Sequence, residues 1–527
     1  MEKKKKYMLL GIIGTLILLI GASYAYWRLV IYQTGTNQIA SSCFDITLTN
    51  EQNAINLQKA YPILDEEGMS LTPYTFTITN NCDTFASYSV NLELLNTVLA
   101  ENRLSSGFVK VMLDENTPTV LNTNTNVTPT LDNAYEAYEL ATGYLDANAS
   151  VTYNLRLWMD QDVTIEDDAM NKQLESKITI TASYIDHMPT DYERCIAEYG
   201  EDSIQCSIIA DASDEETGPC PTVNEDGTVS VTKAESTNGY ICSAPDDYGT
   251  SYYFRGNVEN NWVKFAGFYW RILRVNGDGS IRMIYAGDAD VIDALPNKEE
   301  VLANGYNDSS TDYTQIGISA YNSSYNDNAY VGYMYGTTGA STYEETHANI
   351  NNSSVKTAVD TWYEENIHET EYEQYISDTL FCNDRSFGKS NSGTGTGDSY
   401  TQYRWYSSSN GIRLTCTQQN DRFTVNDEVI GNGALTYPVG LLTTDEGYLA
   451  GGYSSSNSGY YLYTGNWYWT MSPYFFFGSI AYLRYVSSSG HVSYNNVNGS
   501  GGVRPVLNLK SGSLTSGQGT ASDPYLT

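Results

Sequence analysis

Residues Tyr461 to Lys510 read YLYTGNWYWTMSPYFFFGSIAYLRYVSSSGHVSYNNVNGSGGVRPVLNLK. The aromatic run Trp467-Tyr468-Trp469 starts a strand that leads into Ser472-Pro473. Ile480 to Val486 and His491 to Tyr494 follow as strands about a turn at Gly490, and Val503 to Leu509 closes the series. In an extended segment alternate residues face opposite ways, so Phe475, Phe476 and Phe477 cannot all enter one core and at least one faces solvent. Between Tyr474 and Asn498 the side chains are mostly Tyr, Phe, Ser and Asn, punctuated by Gly. Tyr and Phe offer large contact area with only two torsions to freeze, while Ser and Asn hydrogen-bond adaptably, as in antibody paratopes. The stretch therefore reads as a binding face. Its candidate ligand contacts are Tyr474, Phe475, Phe476, Phe477, Ser479, Tyr482, Arg484, Ser487, His491, Ser493, Tyr494, Asn495, Asn496 and Asn498. The plainer alternative is a loop, because the whole chain is rich in these residue types.

Around this stretch the pattern is mainly β with some α. Phe265 to Val275, the turn Asn276-Gly277-Asp278-Gly279 and Ile281 to Tyr285 spell a strand, a hairpin turn and a strand. Ser354 to Ile367 spaces Val355, Ala358, Val359, Trp362 and Tyr363 as a helix, with Ser353 or Ser354 as N-cap and Trp362 as a core anchor. Arg504, beside the rigid Pro505, is expected to clamp a carboxylate inside the fold.

With the W-x-SP start, the central Gly turn and the closing GVRPV in view, the region 246–527 resembles C-type-lectin-like domains of the formylglycine-generating (sulfatase-modifying) family. The resemblance implies an α+β domain. In the target proteins of diversity-generating retroelements, which share this fold, the variable ligand contacts lie between such a Trp-Ser strand and such an RPV strand. It thus implies a ligand-binding face between residues 467 and 505, either diversified by a retroelement or that of an ordinary adhesin on the same scaffold.

The N-terminal part has another pattern. Tyr74 to Thr79, Tyr88 to Leu94, Phe108 to Leu113, Val151 to Met159 and Lys177 to Tyr184 alternate apolar and polar residues, with Asn80-Asn81-Cys82-Asp83 as a tight connection. Short alternating strands without long helical patterns predict an antiparallel β-sandwich over 27–187. The segment Leu64 to Leu94, together with the leader, resembles the TasA/camelysin group of exported proteins. That implies a jelly-roll-like sandwich and self-assembly through it. The leader itself, residues 1–26, has Lys3 to Lys6 ahead of an apolar run from Met8 to Ile20 and the small-residue site Ser23-Tyr24-Ala25. This is a secretory signal peptide or, if uncleaved, a membrane anchor.

An exported chain accommodates disulfides. Cys43, Cys82, Cys195, Cys206, Cys220, Cys242, Cys382 and Cys416 show no CxxC spacing, and pairing neighbours keeps each bridge local. Residues 188–245, with four of these cysteines and Pro189, Pro219, Pro221 and Pro245, read as a stapled connector. The alternative is an extension of one neighbouring unit.

The chain carries 63 acidic against 28 basic residues, a net charge of −35, which disfavours a nucleic-acid groove and anionic membranes. No HExxH, GxSxG or His cluster is present, so no metal, cofactor or catalytic set is assigned. The reactive cysteines of formylglycine generation have only Cys382 and Cys416 as counterparts, and these read as a disulfide. The sequence therefore points to an extracellular or cell-surface protein binding a protein or glycan ligand. A structural fibre or matrix subunit is the second reading, and an enzyme of the formylglycine-generating type the third.

Overall fold

The computed structural model describes residues 29–31, 44–48, 61–114, 118–164, 167–169, 172–185, 187–212, 220–234, 238–298, 301–302, 313–386, 393–396 and 411–527. The expected leader, residues 1–26, and the expected partner of Cys82, Cys43, lie outside them. No helix among the described residues is long and apolar enough to cross a membrane. The chain is mainly β and divides into two units, Met1–Pro189 and Thr190–Thr527.

In the first unit five strands pair in the order Phe44–Leu48, Tyr74–Asn80, Ser150–Met159, Val109–Leu113, Thr119–Val120. Four more pair as Leu29–Ile31, Leu174–Ile185, Phe85–Leu95, Ala134–Leu145. Phe76, Ile78 and Leu157 from the first sheet and Val90, Leu92 and Ile178 from the second share one fully buried core. Each expected strand is present, and Asn80 explains the connection between two of them. Its Oδ1 accepts from the Cys82 amide at 3.0 Å, and its Nδ2 donates to the carbonyls of Thr84 and Asp146. A turn fixed at both ends in this way carries the chain from one sheet to the other.

The second unit begins earlier than the sequence pattern implies. Thr190 and Glu193 form a reciprocal capping box that starts the helix Asp191–Tyr199, and Cys195–Cys206 staples it to the helix Ile204–Ala210. Ile204 and Ile208 enter the main core, and Cys220–Cys242 fastens the following strands to Gly239–Asp246. Among the described residues, 190–212, 220–234 and 238–245 thus fall within the second unit. The neighbour pairing of cysteines also gives Cys382–Cys416.

Two sheets dominate this unit. The larger one has Gly239–Asp246, Gly249–Gly256, Phe268–Val275, Trp262–Phe265 and Tyr525–Leu526 in order, with Ile281–Asp288 linking Phe268–Val275 to Val506–Leu509. The strand expected over 265–275 is two strands, because Ala266 and Gly267, both at positive φ, close a tight hairpin between Phe265 and Phe268. The turn at Asn276–Gly279 forms as read, with Gly279 donating to the Asn276 carbonyl. The second sheet runs Gly317–Ala320, Ser500–Val503, Tyr468–Phe477, Ile480–Val486, Val492–Asn496.

The expected closing strand Val503 to Leu509 is likewise two strands. Ser500–Val503 belongs to one sheet and Val506–Leu509 to the other, with Arg504-Pro505 at the crossing. Proline has no amide to donate and interrupts a ladder at that point. The helix Ser354–Asn366 is capped by Ser353, whose side chain accepts from the Lys356 amide. Trp362 packs between Phe268, Trp270 and Tyr285.

Candidate functional site

The hairpin Tyr468–Phe477 and Ile480–Val486 turns through Gly478 and Ser479 at φ of +58° and +65°. Two consecutive left-handed residues make the turn whose twist matches that of paired strands. Register then places Phe475 opposite Tyr482, Tyr482 opposite Asn496, and Arg484 opposite Tyr494. The ladder is irregular between Pro473 and Phe475. An extra residue at such a bulge breaks the alternation, so that the neighbours Tyr474 and Phe475 both leave the core.

Their rings form a connected group with Tyr482 and Tyr494. Tyr474 stacks on Tyr494 at a centroid distance of 4.3 Å, and Phe475 stacks on Tyr482 at 4.6 Å. Phe475 also meets Tyr494 at 5.5 Å and Phe477 at 6.3 Å. Phe477 and Tyr494 remain 46% and 45% exposed, a large fraction for aromatic side chains. Exposed apolar surface rimmed by polar residues is a feature of interaction sites.

The other sequence candidates divide. Ser479 and Asn498 are exposed and Asn496 is half-buried opposite Tyr482, whereas Ser493 and Asn495, also half-buried, face the other side of the strand from Tyr494. Phe476 is fully buried and points into the core, opposite to Phe475 and Phe477, so it is corrected to a packing residue. Ser487 is buried too. Its Oγ accepts from the amides of Ser489 and His491 and lies 2.7 Å from His491 Nδ1, so both residues hold the turn. Arg484 is buried, with its guanidinium 3.9 Å over the Tyr474 ring. It supports the patch from below and offers no surface of its own. Among the described residues Arg504 pairs with no carboxylate, contrary to expectation: it donates to the carbonyls of Tyr285 and Leu462 and lies over the Tyr468 ring.

Sequence reading missed Tyr448 and Tyr453. The short helix Thr444–Leu449 starts at Thr443, which forms a capping box with Glu446, and packs on the strands of the patch. Tyr448 stands where both Arg484 and Tyr474 act on its hydroxyl. Burial, with opposing influence from Arg484, pushes that hydroxyl up to about 12. With Tyr453, Val229 and Ile412 it lines an open cleft of about 1010 Å³ whose polar wall is Asn224, Glu225, Asp226 and Thr228.

One sequence signal separates this region from the rest. No Asp or Glu occurs between residues 447 and 522, although acidic residues number 63 in the chain. The strands that carry the patch therefore contribute no carboxylate to it. No cluster of His, Cys, Asp or Glu fit to hold a metal occurs among the described residues.

No family profile, curated protein or solved structure matches this chain.

Proposed function

We propose that this chain is an exported surface protein in which a jelly-roll-like sandwich carries a C-type-lectin-like domain, and that the domain binds an extracellular protein or glycan through the 474–498 face. The observation that carries the proposal is the connected group of Tyr474, Phe475, Phe477, Tyr482 and Tyr494, in which Phe477 and Tyr494 are exposed and the other three rings are half-buried against them. Rings that support one another lose little freedom on binding, and they present flat faces to an aliphatic side chain or to the apolar face of a sugar. Ser479, Asn496 and Asn498 supply hydrogen-bonding groups at the rim.

The test uses the full chain on a glycan array and on a panel of immobilised extracellular-matrix proteins. Binding to at least one of these is expected. Replacing Phe475, Phe477, Tyr482 and Tyr494 together by Ser abolishes it while leaving the melting temperature of the fold within a few degrees. Retained binding in that folded variant rejects the face. Diversification is a separate matter, decided in the genome: a nearby reverse transcriptase and an imperfect repeat of the codons for residues 467 to 505 accompany it.

A further inference from the structure

A cavity of about 240 Å³ lies in the second unit, where three strands of the larger sheet meet the segment 458–465. Trp262, Arg271 and Ala286 line it from those strands, and Tyr461, Tyr463 and Arg504 extend the wall. It is smaller than the roughly 300–1,000 Å³ of sites for drug-sized ligands, and so has room for one small molecule. Two arginines but no acidic residue line it among the described residues, in a chain with 63 Asp and Glu.

Both guanidiniums are buried, Arg271 at 5% exposure and Arg504 at 2%. Arg274, on the same strand as Arg271, has Asp246 at 2.7 Å and Glu446 at 3.3 Å. Neither Arg271 nor Arg504 has a carboxylate partner of this kind among the described residues. In Arg271, Nε donates to Asn261 Oδ1 and Nη2 to the Val258 carbonyl, both at 2.6 Å. Asn261 is itself buried and donates to the Ile272 carbonyl at 2.8 Å, which fixes that edge of the planar fork. Nη1 is left without a partner among the described residues. The rings of Trp262 and Tyr461 pack on the same guanidinium, with centroids at 4.1 and 5.2 Å. Burial, with Arg504 adding to it, brings this guanidinium down to about 9 against the opposing pull of Tyr461 and Glu259. Glu259 is exposed and forms no ion pair with it. Two like charges at one cavity without a counter-charge are costly until an anion completes them.

We propose that this cavity binds a small carboxylate, held end-on by Nη1 and Nη2 of Arg271, with Arg504 as the second charge. A guanidinium fork matches the two oxygens of a carboxylate. One open fork end, with no lysine among the described lining residues, suits a flat monoanion better than a phosphate. The aromatic walls meet the apolar side of such a ligand, and the exposed Asn257 and Ser458 offer hydrogen-bonding groups at the mouth. Sugar acids and aliphatic acids share this chemistry. No residue of the 474–498 face lines the cavity, so the two sites stand or fall separately.

Calorimetric titration of the full chain, with detergent present for its apolar leader, tests this with glucuronate, butyrate, glucose and inorganic phosphate. At least one of the two acids is expected to bind with a Kd below about 1 mM, and the tighter of them identifies the source. Glucose, which lacks the carboxylate, does not bind. Arg271→Lys keeps the charge without the fork and weakens binding by about tenfold or more. Should that variant misfold, Ser458→Trp at the exposed mouth blocks entry and abolishes binding in its place. No binding of either acid up to about 20 mM overturns the proposal. Glucose bound as tightly as glucuronate, phosphate bound more tightly than both acids, or unchanged binding in a folded Arg271→Lys chain also overturns it. Acid binding that emerges only with Asp308→Asn and Asp312→Asn overturns it as well, and assigns the counter-charge to residues 303–312, which lie outside the described ones.

Discussion

The guanidinium of Arg484 lies 3.9 Å over the ring of Tyr474, and Arg484 pairs across the strands with Tyr494, whose ring stacks on Tyr474. One buried cation therefore lies against Tyr474, and Tyr474 in turn supports the exposed ring of Tyr494. A guanidinium on an aromatic face contributes roughly 0.5–2 kcal/mol, more when desolvated. Arg484→Ala is expected to destabilise the fold by about 1–2 kcal/mol and to let Tyr474 rotate. A double-mutant cycle with Tyr474→Leu measures the coupling, expected at about 0.5–2 kcal/mol. Additive effects would show that the ring does not depend on the arginine.

The turn after Ile480–Val486 permits little change. Gly490 has φ of +75°, and a Cβ there would stand 1.8 Å from the Asn457 carbonyl oxygen, a backbone atom that cannot move aside cheaply. Gly490→Ala is expected to cost about 2–4 kcal/mol in denaturant unfolding, since backbone strain and a steric clash add. The loss of the Ser487–His491 contacts follows from the same displacement. Ser488→Ala, at an exposed neighbour, is the control and changes stability by less than about 0.5 kcal/mol.

How far this was legible in the sequence depended on whether a local pattern or a distant partner decided the outcome. Alternating strands such as Tyr74–Asn80 were readable because each buries one face. Ala134–Leu145 was not: alanine and glutamate are poor strand formers, and this strand exists because it pairs along Phe85–Leu95. In the patch, exposure of one of the three phenylalanines followed from alternation alone. Which of them turned inward did not, because the bulge near Pro473 sets the phase. The burial of Arg484 beneath Tyr474, and the arrival of Tyr448 from the helix Thr444–Leu449, are long-range facts with no local trace. The missing carboxylates between 447 and 522 were a trace of another kind, visible only against the acidity of the whole chain.

Acid stability carries a signature of His347. This side chain is fully buried, with Nε2 3.0 Å from the Gly393 carbonyl, and burial together with the neighbouring Arg385 depresses it to about 3. The folded state keeps it neutral, whereas the unfolded chain takes up a proton near pH 6.5. Its contribution is therefore complete above the unfolded value and declines as pH falls below it, by up to about 1.4 kcal/mol per unit until the folded value is reached. Unfolding free energies between pH 7 and 5 should follow this slope in the wild type and less of it in His347→Gln. Equal slopes would assign the acid sensitivity to other groups.

Glu446 joins the strand scaffold to the helix beneath the patch. It is buried with Arg274 at 3.3 Å and Arg282 at 2.5 Å, and it accepts from the Thr443 amide at 2.8 Å. Burial alone would raise its carboxyl, but Arg282 and Arg274 outweigh that and hold it below the usual range. Arg274 has a second carboxylate in Asp246 at 2.7 Å, whereas Glu446 is the only carboxylate shown paired with Arg282 among the described residues. Removing Glu446 consequently leaves the charge of Arg282 buried and uncompensated, a change that typically costs 3–5 kcal/mol. Glu446→Ala should fall in that range. Glu446→Gln retains an oxygen for the Thr443 cap but not the charge, and should lose nearly as much. The discriminating variant is Glu446→Gln combined with Arg282→Met, which removes both charges: recovery of about half the loss or more in urea unfolding identifies the stranded guanidinium as the cause, whereas no recovery places it in the cap and therefore in the seating of Tyr448 against the patch.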